Sequence, residues 1–186
     1  WGDNGITLWS VKDAIPIKKL DGYSIRFSPD GKWTCIFRRG EGCLYKTDHL
    51  DGAPLRTFRA SIPPSDGPIM VEIQGGYFTP DSKGLLMNAL GGAPELYDVE
   101  TGKLRFVLKG YALPVQCASF TQQGEGIVVS SDNNLLLWNL SQSVLAKRIL
   151  GMQGRISKTR ITPDGQKIIS ITDNYNGAVR DAATGQ

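Results

Sequence analysis

The chain has 186 residues, with 21 Lys and Arg against 18 Asp and Glu, for a formal net charge of +3. That length supports one domain with a real core rather than two, and the charge lacks the clustered basic field of a nucleic-acid or anionic-membrane binder. No apolar run approaches the ~20 residues of a membrane helix, three cysteines cannot build a disulfide framework, and one histidine, His49, excludes any site that needs two.

In chain order, the first residues, Trp1-Gly2-Asp3-Asn4-Gly5, carry no initiator Met and no signal-peptide pattern. Asp3-Asn4-Gly5 is hairpin chemistry. Leu8-Trp9 then closes a short apolar run. Phe27-Ser28-Pro29-Asp30-Gly31 follows, a tight-turn unit in which Pro fixes φ, Asp bonds the local backbone and Gly takes φ > 0. Leu44-Tyr45 closes the next run. Residues 61–68, rich in Pro, Ser and Gly, are turn and polyproline-like material.

Both landmarks recur. The turn unit returns at Phe78-Thr79-Pro80-Asp81-Ser82, Phe120-Thr121-Gln122-Gln123-Gly124 and Ile161-Thr162-Pro163-Asp164-Gly165, in steps of 51, 42 and 41 residues. The run-closing pair returns at Leu96-Tyr97, Leu137-Trp138 and Val179-Arg180, in steps of 36, 52, 41 and 42. Two landmarks therefore share a period near 42.

One full period divides into four strand-like runs, Val115 to Phe120, Gly126 to Ser130, Leu135 to Asn139 and Val144 to Ile149, without helical periodicity. Gln122-Gln123-Gly124, Asp132-Asn133-Asn134 and Ser141-Gln142 separate them. The 22 glycines, about 12% of the chain against a usual ~7%, act as turn punctuation. Four short strands per repeat of this length make a β-propeller blade.

The pattern resembles WD40 repeats. Gly110-Tyr111, Val115, Phe120-Thr121, Ser130-Ser131-Asp132 and Leu136-Leu137-Trp138-Asn139 carry the resemblance in one blade, and it extends over the whole chain. The family's Gly-His pair is replaced by Gly110-Tyr111 and Gly151-Met152, and its Trp-Asp pair by Trp9-Ser10, Tyr45-Lys46, Tyr97-Asp98 and Trp138-Asn139. No blade keeps the His–Asp–Ser–Trp network that members of the family often carry.

The expected fold class is all-β, with blades of four antiparallel strands. Three blades are complete, at about 21–60, 69–109 and 113–150, and two are partial, at 1–20 and 155–186. The turn Asp181-Ala182-Ala183-Thr184-Gly185 matches Asp98-Val99-Glu100-Thr101-Gly102, so the chain is expected to stop before a final outer strand. Residues 1–186 then form part of a larger, about seven-bladed ring, which at this period needs roughly 290 residues. The 61–68 insertion extends a loop on the face where partners of the family commonly dock; a solvated insertion is the alternative.

The chemistry is sparse. Thr101-Gly102-Lys103-Leu104 lacks the Ser/Thr and spaced glycine of a phosphate loop. His49 reads as a turn histidine, with Cys43 too far along its strand to form a nucleophile–base pair. Cys35 and Cys43 flank a hairpin and count as cross-strand neighbours: a redox pair or, more in keeping with a reducing compartment, two small buried residues. No catalytic residue, metal ligand or cofactor is assigned. Lys18, Lys19, Arg56, Arg59, Lys147, Arg148, Lys158 and Arg160 read as solvated charges that protect outer strands from edge pairing.

What remains is surface chemistry at hairpin tips and inter-blade loops. Arg38, Arg39 and Glu41 crown one tip, and Asp173, Asn174 and Tyr175 another; Tyr23, Tyr111, Met152 and Arg155 fall by loops of the same face. Tyr, Met and Arg are enriched at protein contacts, although Tyr111 and Met152 are also placed to replace the family's histidine and pack inward. The contact set is Arg38, Arg39, Glu41, Tyr111, Arg155, Asp173 and Tyr175.

The resemblance implies a non-catalytic scaffold or sensor that binds other proteins, within a multiprotein complex or the rest of its own chain, in the cytoplasm or nucleus, with no strong nucleic-acid signal and no membrane. The alternative is an enzymatic propeller. Asp98-Val99-Glu100-Thr101-Gly102-Lys103 is similar to the Asp-x-x-Thr-Gly-Lys turn of lactonase or quinone-dependent propellers. A sensor propeller fused to a nucleotide-binding switch is the further variant.

Overall fold

The computed structural model describes residues 5–38, 40–59, 73–89, 92–109, 115–150 and 152–186, and every regular element among them is a β-strand. β1 (Gly5–Trp9) and β2 (Pro16–Asp21) form a two-stranded sheet. β3 (Ser24–Phe27), β4 (Trp33–Arg38), β5 (Glu41–Lys46) and β6 (Arg56–Arg59) form the first four-stranded sheet. The second comprises β7 (Ile73–Phe78), β8 (Gly84–Ala89), β9 (Glu95–Asp98) and β10 (Leu104–Val107). The third comprises β11 (Val115–Phe120), β12 (Gly126–Ser131), β13 (Asn134–Asn139) and β14 (Val144–Ile149). β15 (Ile156–Ile161), β16 (Lys167–Thr172) and β17 (Gly177–Asp181) make a final three-stranded sheet.

All pairings join consecutive strands antiparallel, the arrangement of propeller blades. The stack does not close into a ring. The β12–β13 ladder runs further than its turn signal suggested: Ser131 pairs with Asn134, leaving a two-residue turn with Asp132 at φ 55°.

The recurrent turn unit has a bonding rationale. The Thr79 hydroxyl donates to Asp81 Oδ1 (2.5 Å) and accepts from the Gly84 N–H (2.7 Å), while the Lys83 N–H donates to Asp81 Oδ1 (3.0 Å). Ser28 with Asp30 and Thr162 with Asp164 repeat this pattern, at hydroxyl–carboxylate distances of 2.6 and 2.5 Å. Gln123 replaces the aspartate in the third unit, where Thr121 still receives the Gly126 N–H at 3.0 Å. Hydroxyl and carboxylate together satisfy donors that the turn leaves unpaired.

Each of the four hydrophobic cores lies between successive sheets. Ile6, Leu8 and Leu20 meet Ile36, Cys43 and Tyr45. Cys35, Phe37 and Leu44 meet Ile73, Leu85 and Met87. Leu86 and Leu96 meet Val115, Ile127 and Trp138. Val128 and Leu135 meet Ile156, Ile161 and Ile168. Interior sheets thus bury both faces, as their near-continuous apolar strands require.

Two expectations are corrected by register and packing. Arg38 and Glu41 close the β4–β5 hairpin, which sets Leu44, not Cys43, opposite Cys35. The two cysteines therefore enter different cores, on opposite faces of their sheet, and are not cross-strand neighbours. The basic outer-strand residues are not merely solvated. Lys18 of β2 pairs with Asp51, Arg56 of β6 donates to the Glu100 backbone oxygen, and Lys147 of β14 donates to that of Ala183. Each contact reaches from an outer strand to a turn of the next sheet, so these cations tie neighbouring sheets together.

Candidate interaction surface

One end of the stack gathers the β4–β5, β12–β13 and β16–β17 hairpins with the segments that enter first strands. The incoming chain satisfies hairpin carbonyls: the Met152 N–H donates to Asn133 O (3.2 Å) and the Ile156 N–H to Asp132 O (2.8 Å). In the last sheet the Asp173 N–H donates to Arg155 O (2.8 Å), and Asn174 Nδ2 donates to Gln153 O (3.1 Å). Arg155 and Asp173 are thereby brought side by side, both exposed.

Tyr175 stands at the tip of that hairpin. Its side chain is 93% exposed and its backbone adopts φ 63°, a left-handed conformation unusual for a bulky residue. The Tyr175 N–H donates to Thr172 O (3.0 Å), and the Thr172 hydroxyl donates to Asn174 Oδ1 (2.5 Å). The tip is therefore a bonded turn rather than a loose loop.

The other hairpin differs. Arg38 Nε donates to Asp21 O and its Nη2 to the Tyr45 hydroxyl, both at 3.1 Å. Glu41 Oε1 accepts from Arg59 Nε (2.9 Å) and Nη2 (2.7 Å), a register pair across β5 and β6. Glu41 is engaged within its own sheet, while Arg38 bridges from Tyr45 of its sheet to Asp21 of β2. Two sheets separate this hairpin from Tyr175, so the two tips form no single patch. Arg39 and Tyr111 lie outside the described residues, as does the 61–68 insertion. Met152 packs inward at 6% exposure, its sulfur 3.2 Å from Arg180 Nε.

Among the described residues, the thiols, the histidine and two turn aspartates each have a defined setting. Burial pushes the thiols of Cys35, Cys43 and Cys117 upward, away from thiolate character. His49 is exposed, with Nδ1 2.8 Å from Asp48 Oδ1. In the Asp98 turn, Oδ1 accepts from the Thr101 N–H (2.7 Å) and hydroxyl (2.8 Å), and Oδ2 accepts from Arg105 Nη2 (2.7 Å). Asp181 holds Thr184 in the same way, at 2.7 and 3.0 Å. These carboxylates serve their turns. Among the described residues no three His, Cys, Asp or Glu side chains converge as metal ligands, and no helix is long and apolar enough to cross a membrane.

The sequence reading missed Arg59 as the partner of Glu41, a pairing visible only once the β5–β6 register is known. No known family's sequence profile matches the chain. The chain is similar to a WD repeat protein. An uncharacterized WD repeat-containing protein of Deinococcus radiodurans is 25% identical over 192 residues, spanning 86% of this chain and 68% of that protein. That similarity and the stack of four-stranded antiparallel sheets together fit a WD40-like fold.

Proposed function

We propose that this chain is part of a WD40-like propeller that acts as a non-catalytic scaffold or sensor, presenting hairpin-end residues to other proteins of a complex or to the rest of its own polypeptide. Its setting in this reading is the cytoplasm or nucleus, in keeping with three free buried cysteines. A ring larger than these five sheets is supported by incomplete burial at the stack's two ends. At one end Phe27 is 50% exposed, and at the other Ile169, Ile171 and Val179 are 42%, 41% and 62% exposed. The two-stranded β1–β2 sheet covers Ile36 and Tyr45 but leaves Phe27 uncovered.

The observation that carries the binding role is Tyr175. A bonded turn holds an aromatic ring fully in solvent beside Arg155 and Asp173, at the cost of a left-handed backbone. An amphipathic ring held out at low entropic cost is a contact anchor. Arg38, Arg39, Glu41 and Tyr111 complete the proposed contact set, with Arg38 and Glu41 acting through their bonded frame.

The test is an affinity pull-down comparing the full protein with its Arg155→Ala, Asp173→Ala, Tyr175→Ala triple variant, after matched thermal melts. Selective loss of co-purifying proteins is expected. An unchanged set of partners would remove this face from the binding role.

A further inference from the structure

The opposite end of the stack carries a groove that the hairpin-end reading does not use. It lies between the β3–β6 and β7–β10 sheets, has a volume of about 650 Å³, and is lined by Asp30, Lys32, Trp33, Lys46, Asp48 and Glu100.

Trp33 is the unusual member. The same repeat position holds Gly84 and Gly126 in the next two sheets and Lys167 in the last. A Cβ at Gly84 or Gly126 would meet the methyl group of the turn threonine at 2.7 or 3.0 Å. In the β3–β6 sheet that threonine is Ser28, which lacks the methyl yet still accepts the Trp33 N–H at 2.9 Å. The turn thus forms equally well with glycine, and the indole is an addition that its bonding does not require. Part of the ring packs on the neighbouring core; the remainder lines the groove.

The charge around it runs against that of the chain. Asp30, Asp48 and Glu100 outnumber Lys32 and Lys46, although the chain as a whole carries +3. Lys32 Nζ stands 3.9 Å from Asp30 Oδ2, a loose pair. Asp48 and Glu100 are both exposed; Asp48 meets His49 Nδ1 through Oδ1 at 2.8 Å, with Oδ2 as its second acceptor, and the Arg56 bond to Glu100 engages its backbone oxygen. The Ser28 hydroxyl and the Lys32 N–H hold the Asp30 carboxyl below its usual range, so it stays ionised.

An indole lining a groove with carboxylates beside it complements a planar cation that stacks and forks at once. The molecule uses a related contact internally, with the Arg26 guanidinium carbon 5.9 Å from the centroid of the Tyr77 ring. We propose that this groove binds an arginine side chain of a partner protein, with the guanidinium stacked on Trp33 and paired with Asp48 and Glu100. The site is independent of the Tyr175 face, so either can fail without the other.

The test titrates the ¹⁵N-labelled chain with three blocked pentapeptides, Gly-Gly-X-Gly-Gly, where X is Arg, Lys or Glu. The Trp33 indole N–H signal is assigned with Trp33→Phe. The arginine peptide should shift that signal saturably, with a Kd of about 1 mM, more strongly than the lysine peptide, while the glutamate peptide leaves it in place. Glu100→Gln and Asp48→Asn, both on exposed turns, should each weaken arginine binding about 3-fold, as expected for exposed ion pairs. Equal binding of the lysine peptide would overturn the guanidinium assignment. A static Trp33 signal, or charge variants without effect, would overturn the site.

Discussion

β8 and β16 are the second strands of their sheets, and both carry apolar residues on both faces. In β8, Leu85 and Met87 enter the core toward β3–β6 and Leu86 the core toward β11–β14, so all six residues are buried. In β16, Ile168 packs inward against β11–β14, while Ile169 and Ile171 on the other face are 42% and 41% exposed. The residues are comparable in type; the neighbours are not. An apolar strand is buried only as far as a second sheet arrives to cover it.

The largest expected effect tests that comparison directly. Leu85→Ala should cost about 2–5 kcal/mol in urea unfolding, and Ile169→Ala less than about 1 kcal/mol. Equal losses would mean that the outer face of β16 is covered in solution.

Glycine contacts give the next contrast. A Cβ on Gly76 would stand 2.6 Å from Leu86 O and 2.7 Å from Phe37 Cζ, whereas one on Gly177 meets nothing within 4 Å. Gly76→Ala should destabilise by about 1–3 kcal/mol and Gly177→Ala by no more than about 0.5 kcal/mol, read from the same unfolding curves.

The two Asp-x-x-Thr-Gly turns differ in one partner. Arg105 and the Thr101 bonds hold the Asp98 carboxyl at about 2, against about 3.9 when unfolded. Its folded value lies below its unfolded one, so the unfolded chain binds more protons between them. The stabilisation is complete above about pH 4 and is lost as pH falls through about 2. Asp98→Asn should flatten the acid loss of the urea midpoint in that window. The Asp181 carboxyl is also lowered, first by the Thr184 N–H and hydroxyl, with the Lys147 charge as a smaller contribution in place of a bonded arginine. Asp181→Asn should therefore flatten the curve less; equal flattening would show that the Arg105 hydrogen bond adds no more than the Lys147 charge does.

The smallest effect concerns strained turns. Tyr175→Gly should raise the melting temperature, by a gain of under about 1 kcal/mol, while removing the proposed contact. Asp132→Gly, at φ 55° in an interior sheet, should gain less, because aspartate tolerates that conformation better. A Tyr175→Gly variant that gains no stability would argue against strain at the tip.

The repeat made most of the fold legible. The turn units at Phe27, Phe78, Phe120 and Ile161 each end a first strand, and their Ser/Thr and Asp residues bond as turn chemistry dictates. The site was legible only in part. Tyr175 stands exposed on its hairpin, whereas the Arg38 and Glu41 side chains are bonded to Tyr45 and Arg59. Nothing in the local sequence distinguishes those tips, because the partners that engage Arg38 and Glu41 lie on neighbouring strands. The cysteines show the same limit: a shift of one residue in register placed Cys35 and Cys43 in separate cores.

The sequence by itself determined the period, the four-strand unit and the turns, because these depend on local backbone preferences and the alternation of apolar residues. Tertiary structure decided which faces are covered, which cations tie one sheet to the next, and where a tryptophan is left lining a groove. Those outcomes depend on contacts between residues far apart in the chain, here between one blade and its neighbour, which no stretch of the sequence specifies alone.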